Sequence, residues 1–305
     1  YDWTSQGDLY YMCGDPNWGL LLKVYRHTGA GDTAVYTNNT VFAGSKLTAL
    51  GDYIYFNDGG DFARYTFNYF ACDPVSANTP TVILDSTAPG SPSLWGMEIR
   101  NNETVFASGA VGFGATSLYY AVPTPQNALN SWTALGEIGE SSGPIAFDDA
   151  GNLYYAHGYV YSGQAQIFRW TAQEVAAAMG HPSETPLSPT GHGIATLPAA
   201  FTGASGMAID TAGHLFITAN AFGVAGQLLL FSPDTQGNYT EGIVLAEGAG
   251  RLDTLRIKAD KLYVNNPEGI YSTSLPLTVK AASGITTIAT VAGKDTTLAV
   301  ETQYG

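Results

Sequence analysis

The chain has 305 residues, of which 45% are hydrophobic and 12% are charged, and its net charge is −14. This composition can fill a large core, while the acidity argues against a nucleic-acid backbone or an anionic membrane as partner, because like charges repel. No segment approaches the ~20 apolar residues of a membrane span, so we expect no membrane insertion.

A short run of apolar and aromatic residues followed by a turn occurs six times along the chain. The lead residues of successive runs are separated by 45, 51, 48, 62 and 47 residues. A period near fifty, with two further strand candidates after each hairpin, is typical of four-stranded antiparallel blades. The sequence therefore predicts an all-β fold, a six-bladed β-propeller, as a single domain over residues 1–305. The six runs are Leu9–Tyr11, Ile54–Phe56, Val105–Ala107, Leu153–Tyr155, Leu215–Ile217 and Leu262–Val264.

The termini suggest how the ring closes. The first unit lacks an obvious innermost strand, whereas Thr296–Val300 is a strand without a hairpin partner. We therefore expect Thr296–Val300 to form the innermost strand of the blade that begins with Leu9–Tyr11, which would leave no free sheet edge between the first and last blades.

The 62-residue interval contains a helical pattern that the other intervals lack. Thr171 can serve as the N-cap with Glu174 at the third helical position, and Gly180 can end the helix. The sequence predicts an α-helix from about Thr171 to Met179, outside the ring of sheets.

The hairpins Ile145–Tyr154 and Gly206–Thr218 resemble NHL-type repeats and the repeats of gluconolactonase-like six-bladed propellers. In each hairpin an Asp begins the turn and a Gly precedes the returning strand. The resemblance implies a calcium site at the channel mouth, held by a Glu, two Asn and an Asp, with one Asp just before the Gly-Met of such a repeat. That position is Ser205 here, and the equivalent positions are Ser142, Trp95 and Asp253. One carboxylate at four positions is too few to form this calcium site, so bound calcium rests on the resemblance alone.

Residues that end the second strands, and those in the loops leading into the first strands, should converge at one mouth of the channel. Amides, carboxylates and Trp side chains there would suit a carbohydrate, peptide or protein ligand. Asn and Asp are also ordinary turn residues, which is the alternative interpretation of the same pattern. The candidate ligand-binding residues are Asp15, Asn17, Trp18, Asn57, Asp58, Trp95, His157, Asn220, Arg251 and Asp253.

The sequence contains no assembled catalytic motif, so the favoured hypothesis is a non-catalytic propeller that binds a ligand or partner at the channel mouth. The alternatives are a calcium-dependent lactonase or hydrolase of the gluconolactonase type and a structural module of a surface assembly. The uncharged polar surface, and a chain that opens at Tyr1 as a processed one would, indicate a secreted, periplasmic or cell-surface location. No cofactor is expected, apart from the possible calcium.

Overall fold

The computed structural model describes residues 1–15, 17, 19–58, 68–72, 81–85, 92–100, 104–111, 114–122, 132–239, 242–247, 251–266, 269–275, 286–290 and 299–300. The chain divides into two compact units. The first comprises Tyr1–Ser142 with Ala178–Leu187, and the second comprises Gly143–Ala177 with Ser188–Gly305. The single domain over residues 1–305 stays a prediction. Within the ranges given above, no helix has the length and apolar character needed to cross a membrane.

The first unit contains three sheets, each with four antiparallel strands in sequence order. Sheet 1 comprises β1 (Asp2–Trp3), β2 (Leu9–Cys13), β3 (Leu22–Thr28) and β4 (Gly31–Asn38). Sheet 2 comprises β5 (Ala43–Leu50), β6 (Tyr53–Asp58), β7 (Asn68–Cys72) and β8 (Thr81–Asp85). Sheet 3 comprises β9 (Ser93–Ile99), β10 (Val105–Ala110), β11 (Ser117–Ala121) and β12 (Thr133–Glu137).

The second unit also contains three sheets. Sheet 4 comprises β13 (Ile145–Phe147), β14 (Leu153–Ala156), β15 (Gln166–Trp170) and β16 (Gly193–Thr196), and α1 (Ala172–Gly180) begins between β15 and β16. Sheet 5 comprises β17 (Gly203–Ile209), β18 (Leu215–Ala221), β19 (Val224–Phe231) and β20 (Ile243–Glu247), with the C-terminal strand Ala299–Val300 as a fifth strand beside β20. Sheet 6 comprises β21 (Leu255–Lys258), β22 (Lys261–Asn266), β23 (Gly269–Ser274) and β24 (Thr286–Thr290), and the last described strand is β25 (Ala299–Val300).

All six apolar-aromatic runs lie in the second strand of a sheet, as the repeat pattern predicts. Their side chains fill the layers between consecutive sheets of a unit. In the second unit Tyr154, Ile217 and Phe231 belong to one such cluster, and Phe216 with Leu262 belong to the next. Alternating apolar positions of sheet 5 therefore face the two sheets beside it in the unit, and both faces of sheet 5 become buried.

A repeated Asp-x-x-Gly turn fixes several hairpins of the second unit. Asp148 and Asp210 each accept a hydrogen bond from a backbone N–H four residues later, at 2.8 Å in both cases. Gly213 takes the required positive φ of 82°. The same turn recurs at Asp234, whose Oδ1 accepts the backbone N–H of Asn238 at 2.9 Å. This third copy lies before the fourth strand and was not part of the sequence-based hairpin pattern.

The prediction of ring closure through Thr296–Val300 is wrong in the described residues. The position beside β2 is occupied by β1, in which Asp2 pairs with Tyr10. Ala299–Val300 instead pairs with the outer strand β20 of sheet 5, and residues 296–298 lie outside the described ranges. The physical reason is an anchor at the N-terminus: the Asp2 carboxylate accepts hydrogen bonds from Thr48 Oγ1 and Ala49 N, both at 3.0 Å.

The predicted helix is confirmed to within one residue, as Ala172–Gly180. Its capping box is also present, because Thr171 N and Oγ1 donate to Glu174 Oε2 at 2.8 and 2.7 Å. The other carboxylate oxygen of Glu174 lies 2.9 Å from His192 Nε2, which ties the helix start to the loop before β16. These bonds hold the pKa of Glu174 down at about 2, with the His192 bond as the largest cause.

Candidate functional site

The described candidate residues lie near the ends of second strands or near the starts of first strands, and their convergence at one mouth stays a prediction. Asn57 and Asp58 end β6, Asn220 lies near the end of β18, and Arg251 and Asp253 precede β21. The remaining candidates are Trp95 in β9, His157 just after β14, Asp15 and Asn17 after β2, and Trp18, which lies outside the described residues.

Several first strands carry a β-bulge at the candidate position. In β9, Leu94 and Gly96 pair with the adjacent residues Gly109 and Ser108, so Trp95 is the extra residue of the bulge. Ser205 is the extra residue in β17, between Ala204 and Gly206. A bulge re-aims the inserted side chain and is common beside functional sites, and Trp95 accordingly exposes 54% of its surface.

The polar residues that end the second strands satisfy the backbone N–H groups of these irregular segments. Asn57 Oδ1 accepts Lys46 N at 3.0 Å, Ser108 Oγ accepts Gly96 N at 3.0 Å, and Asn265 Oδ1 accepts Thr254 N at 2.8 Å. A buried N–H without such an acceptor would be costly. These side chains therefore have a structural role in the described fold.

Two of the predicted ligand-binding amides also reach the next sheet. Asn57, only 1% exposed, donates from Nδ2 to Leu94 O at 3.3 Å. Asn220 donates from Nδ2 to Ser205 Oγ at 2.8 Å and to Leu252 O at 2.6 Å. Both amides thus join the first strand of their own sheet to the segment that begins the following one. Ligand binding through them stays a prediction, and it would have to share these bonds.

His157 lies within the core of sheet 4. It is 7% exposed, its ring centroid is 5.1 Å from that of Phe168, and its Nδ1 accepts Gln166 N at 3.3 Å. Its carbonyl oxygen accepts Ala204 N from β17 at 2.9 Å. Asp58 is likewise buried, at 2% exposure. Both residues are held inside the protein, so their described contacts favour packing and strand pairing over ligand contact.

In the first unit, Asp15 forms a local turn, because its Oδ1 accepts Asn17 N at 2.7 Å. Asn17 is exposed. This is the Asx-turn behaviour expected of a surface loop. The structure therefore agrees with the turn interpretation of these two residues and leaves their role in binding as a prediction.

Asp253 is the candidate with the most unusual electrostatic environment. Its carboxylate forms a hydrogen-bonded ion pair with Arg251 Nε. Burial raises the pKa of Asp253 above its ordinary value, although the Arg251 charge opposes this. The Asp253 side chain keeps 25% of its surface exposed and that of Arg251 keeps 61%, so both remain accessible. A carboxylate with a raised pKa beside an accessible cation is suited to acid–base chemistry on an ester.

The second unit brings Asp253 together with other polar candidates. Asn220 bonds to Leu252 in both directions, with Leu252 N donating to Asn220 Oδ1 at 3.0 Å. Asn220 in turn holds the bulge residue Ser205. The fold therefore connects Ser205, Asn220, Arg251 and Asp253 through direct bonds and chain neighbours, and these four form the candidate site.

The residues of the candidate site do not fit the calcium site that the resemblance implies. Calcium takes six to eight oxygen ligands, whereas Asp253 is the one carboxylate among Ser142, Trp95, Ser205 and Asp253. The Arg251 guanidinium already occupies that carboxylate and would repel a cation. Among the His, Cys, Asp and Glu side chains that the structure describes, no group of three could hold a metal ion.

Three exposed aromatic residues of the second unit were missed by the sequence analysis. Tyr159 and Tyr161 follow β14 and are 41% and 85% exposed, and Phe222 lies at the tip of the β18–β19 hairpin and is fully exposed. The available signal was an aromatic residue beside Gly in a loop, as in Phe222–Gly223. The strand pattern highlights aromatic residues inside the six runs and gives no weight to those in loops.

Solved structures of known function share this fold. The chain aligns with a gluconolactonase from Xanthomonas campestris, important in glucose secondary metabolic pathways, at 13% identity, with a TM-score of 0.56 and coverage of 90% of this chain and 84% of that one. The periplasmic gluconolactonase of Pseudomonas aeruginosa aligns at 15% identity, with a TM-score of 0.57 and coverage of 93% and 83%. TolB from Acinetobacter baumannii aligns at 11% identity, with a TM-score of 0.53 over 88% of this chain and 61% of that one.

No protein-family model matches the chain, and no curated protein is significantly similar to it in sequence. At identities of 11–15% the structural likeness establishes the fold only. The chain is a nearly all-β protein built from antiparallel sheets, with a propeller-like fold of the kind found in gluconolactonases.

Proposed function

We propose that this protein hydrolyses lactones derived from sugars, with Asp253 as the general base and Arg251 as the group that stabilises developing negative charge. The observation that carries the proposal is the pairing of Asp253, whose pKa is raised by burial, with the accessible guanidinium of Arg251. Two gluconolactonases with the same fold support this reaction class, although a fold alone does not specify an activity.

The proposed step begins with a water molecule between Asp253 and the lactone carbonyl carbon. Asp253 removes a proton as the water oxygen attacks that carbon, and negative charge develops on the carbonyl oxygen. The guanidinium of Arg251, 61% exposed and anchored through Nε, can present its remaining N–H groups to this oxygen. The ring C–O bond then breaks, and the leaving oxygen takes the proton from Asp253, which regenerates the carboxylate and releases a hydroxy acid.

A raised pKa helps Asp253 in this role. A carboxylate with an ordinary pKa of ~3.9 is a weak base near neutral pH, and desolvation strengthens it. The charge and the hydrogen bond of Arg251 oppose this rise. The product carries a new carboxylate, which the same guanidinium can hold until release.

We further propose that the sheets form a six-bladed propeller, that the protein is exported to the periplasm or cell surface, and that the reaction uses no resident metal. The period near fifty and the propeller-like neighbours support the blade count. One neighbour is a periplasmic enzyme, and the low charged fraction of 12% suits an extracytoplasmic protein. The Arg251 guanidinium bonds to the Asp253 carboxylate and would repel a metal cation there, which supports a reaction without a metal.

A second candidate is non-catalytic binding of a carbohydrate, peptide or protein. The observation in its favour is that Asn220 and Ser205 are committed to internal hydrogen bonds, which leaves Arg251 and Asp253 as the candidate-site residues available for catalysis. The binding hypothesis predicts saturable binding without turnover, so a rate measurement distinguishes it from lactone hydrolysis.

The test is the rate of glucono-1,5-lactone hydrolysis, followed by proton release in weak buffer and corrected for spontaneous ring opening. We expect Asp253→Asn to lose at least 10²-fold in kcat/KM, as removal of a general base does. The matched control is Asp149→Asn, which makes the same change at an exposed turn residue of the second unit and should retain full activity. Absence of turnover by the wild-type protein on any sugar lactone would overturn the proposal.

A further inference from the structure

The loop after β14 presents two tyrosines to solvent from a rigid base. Between them, Val160 is 4% exposed and packs in the core cluster of sheets 4 and 5. Its backbone N–H donates to Thr202 O at 2.8 Å. Because Val160 points inward, Tyr159 and Tyr161 on either side of it point outward, and their rings meet edge to face with centroids 5.1 Å apart.

The β18–β19 hairpin presents Phe222 in the same region of the second unit. Ala221 pairs with Val224 across a two-residue turn, and Gly223 supplies the positive φ of 74° that this turn needs. Phe222 at the tip therefore has full exposure, without a packing role in the described structure. A large apolar side chain held in water by a tight turn is a feature that folding does not require.

The two loops are neighbours through Thr202. Val160 N bonds to Thr202 O, and Thr202 N bonds to Asn220 O at 3.2 Å, so three backbone segments lie side by side. At strand spacing this separates Val160 from Asn220 by roughly 10 Å, and Phe222 follows two residues later, about 7 Å along the strand. The backbone segments that carry these three aromatic residues are therefore neighbours in the unit. We call Tyr159, Tyr161 and Phe222 the aromatic rim.

The aromatic rim adjoins the candidate site. Asn220 belongs to the candidate site and precedes the Phe222 turn by two residues. It bonds to Leu252 in both directions, and Asp253 is the next residue. A ligand that reaches Asp253 with one end can therefore extend past Asn220 onto the rim. The loop at residues 158–165 and the hairpin end at residues 219–226 contain no charged side chain.

We infer that the aromatic rim binds neutral pyranose rings, so that the preferred substrate is a lactone at the reducing end of an oligosaccharide. This inference deepens the proposed hydrolysis, on which its substrate class rests. Sugar rings present apolar C–H faces that stack on aromatic rings, and an uncharged rim takes them up without desolvating an ionised group. An anionic or cationic chain would gain no ion pair from these two loops.

The first measurement compares kcat/KM for glucono-1,5-lactone with that for cellobiono- and maltobiono-1,5-lactone. We expect the wild-type protein to prefer one disaccharide lactone by roughly tenfold, a factor that one or two aromatic stacking contacts can supply. The double variant Tyr161→Ala with Phe222→Ala should bring this ratio close to one, mainly through KM. The control Tyr53→Ala removes an exposed tyrosine of the first unit and should leave the ratio unchanged.

The second measurement needs no catalysis. Cellotetraose and maltotetraose are titrated into the wild-type protein and the double variant, and binding is followed by calorimetry and by saturation-transfer NMR. Binding by the wild type that the double variant loses supports the rim, even if no lactone is hydrolysed and the proposed function fails. A different result would be hydrolysis of the monosaccharide lactone without any preference for a disaccharide lactone and without saccharide binding. That result would overturn sugar binding at the aromatic rim and leave the proposed function intact.

Discussion

Asn220 and Leu252 form a reciprocal pair of hydrogen bonds, with Asn220 Nδ2 donating to Leu252 O at 2.6 Å and Leu252 N donating to Asn220 Oδ1 at 3.0 Å. The side-chain amide thus pairs with the backbone as another strand would. Because Leu252 is fully buried, this amide provides hydrogen bonds to two backbone groups that are shielded from water. The pair joins sheet 5 to sheet 6 and holds Asp253 in place.

Asn220→Ala is therefore expected to destabilise the protein by about 1–3 kcal/mol, the cost of leaving buried backbone groups without partners. Urea unfolding at neutral pH measures this change. Asn39→Ala, at an exposed position, is the control and should stay within ~0.5 kcal/mol of the wild type. Equal stabilities of the two variants would show that Asn220 is not a structural link.

Gly206 provides a second test of the same junction. A Cβ at this position would lie 2.2 Å from Asp253 O and 2.7 Å from Leu255 N, which are backbone atoms that cannot move away easily. Gly206→Ala should cost about 3 kcal/mol or prevent folding. Gly180→Ala, where a Cβ would meet nothing within 4 Å, should be neutral or stabilising by up to ~1 kcal/mol. A well-folded Gly206→Ala protein with wild-type stability would contradict the close approach.

The sequence was sufficient for the strands and the helix because both have local signals. The run that begins at Ile54 alternates between two core clusters, with Tyr55 in one and Phe56 in the other. Thr171 with Glu174 forms a recognisable helix cap. The placement of Ala299–Val300 beside β20 instead of β2 has no local signal. It depends on the Asp2 carboxylate reaching Thr48, 46 residues away in the chain.

The candidate site was only partly predictable for a related reason. The strand pattern predicts that Asn57 and Asn220 end second strands, and the structure places them there. A sequence does not show whether an amide faces a ligand or a backbone, and both amides turn out to bond to first strands. The raised pKa of Asp253 depends on burial and on Arg251, and burial at a loop residue is set by the tertiary fold.

Glu174 should make stability depend on pH at the start of the helix. Its pKa is lowered to about 2 in the folded protein, from 4.5, so its contribution is complete above pH 4.5 and is lost as the pH falls toward 2. We expect Glu174→Ala to cost ~0.5–1 kcal/mol near neutral pH, since the carboxylate is partly exposed and the cap is a modest interaction. Urea unfolding at pH ~6 and ~3 measures the change. A loss as large at the lower pH as at the higher one would contradict this assignment.

Asp253 should show the opposite dependence. Because its pKa is raised in the folded state, its contribution to stability is fully present below the unfolded pKa and is lost as the pH rises through the folded pKa. Asp253→Asn, which is never ionised, should therefore have a higher melting temperature than the wild type at pH 7, and the difference should shrink toward pH 4. Asp149→Asn should show no such difference. Destabilisation by Asp253→Asn at pH 7 would mean that the Arg251 pair outweighs burial.

The pH dependence of catalysis tests the central claim most directly. The measurement is kcat/KM for glucono-1,5-lactone from about pH 4 to 7.5, corrected for spontaneous hydrolysis, for the wild type, Asp253→Asn and Asp149→Asn. We predict one ascending limb in the wild type with an apparent pKa above the ordinary ~3.9 of Asp. The same limb should appear in Asp149→Asn, and the enzymatic rate of Asp253→Asn should be lower by at least 10²-fold. If Asp253→Asn kept the wild-type kcat/KM and the same rise with pH, the assignment of Asp253 as the general base would be contradicted.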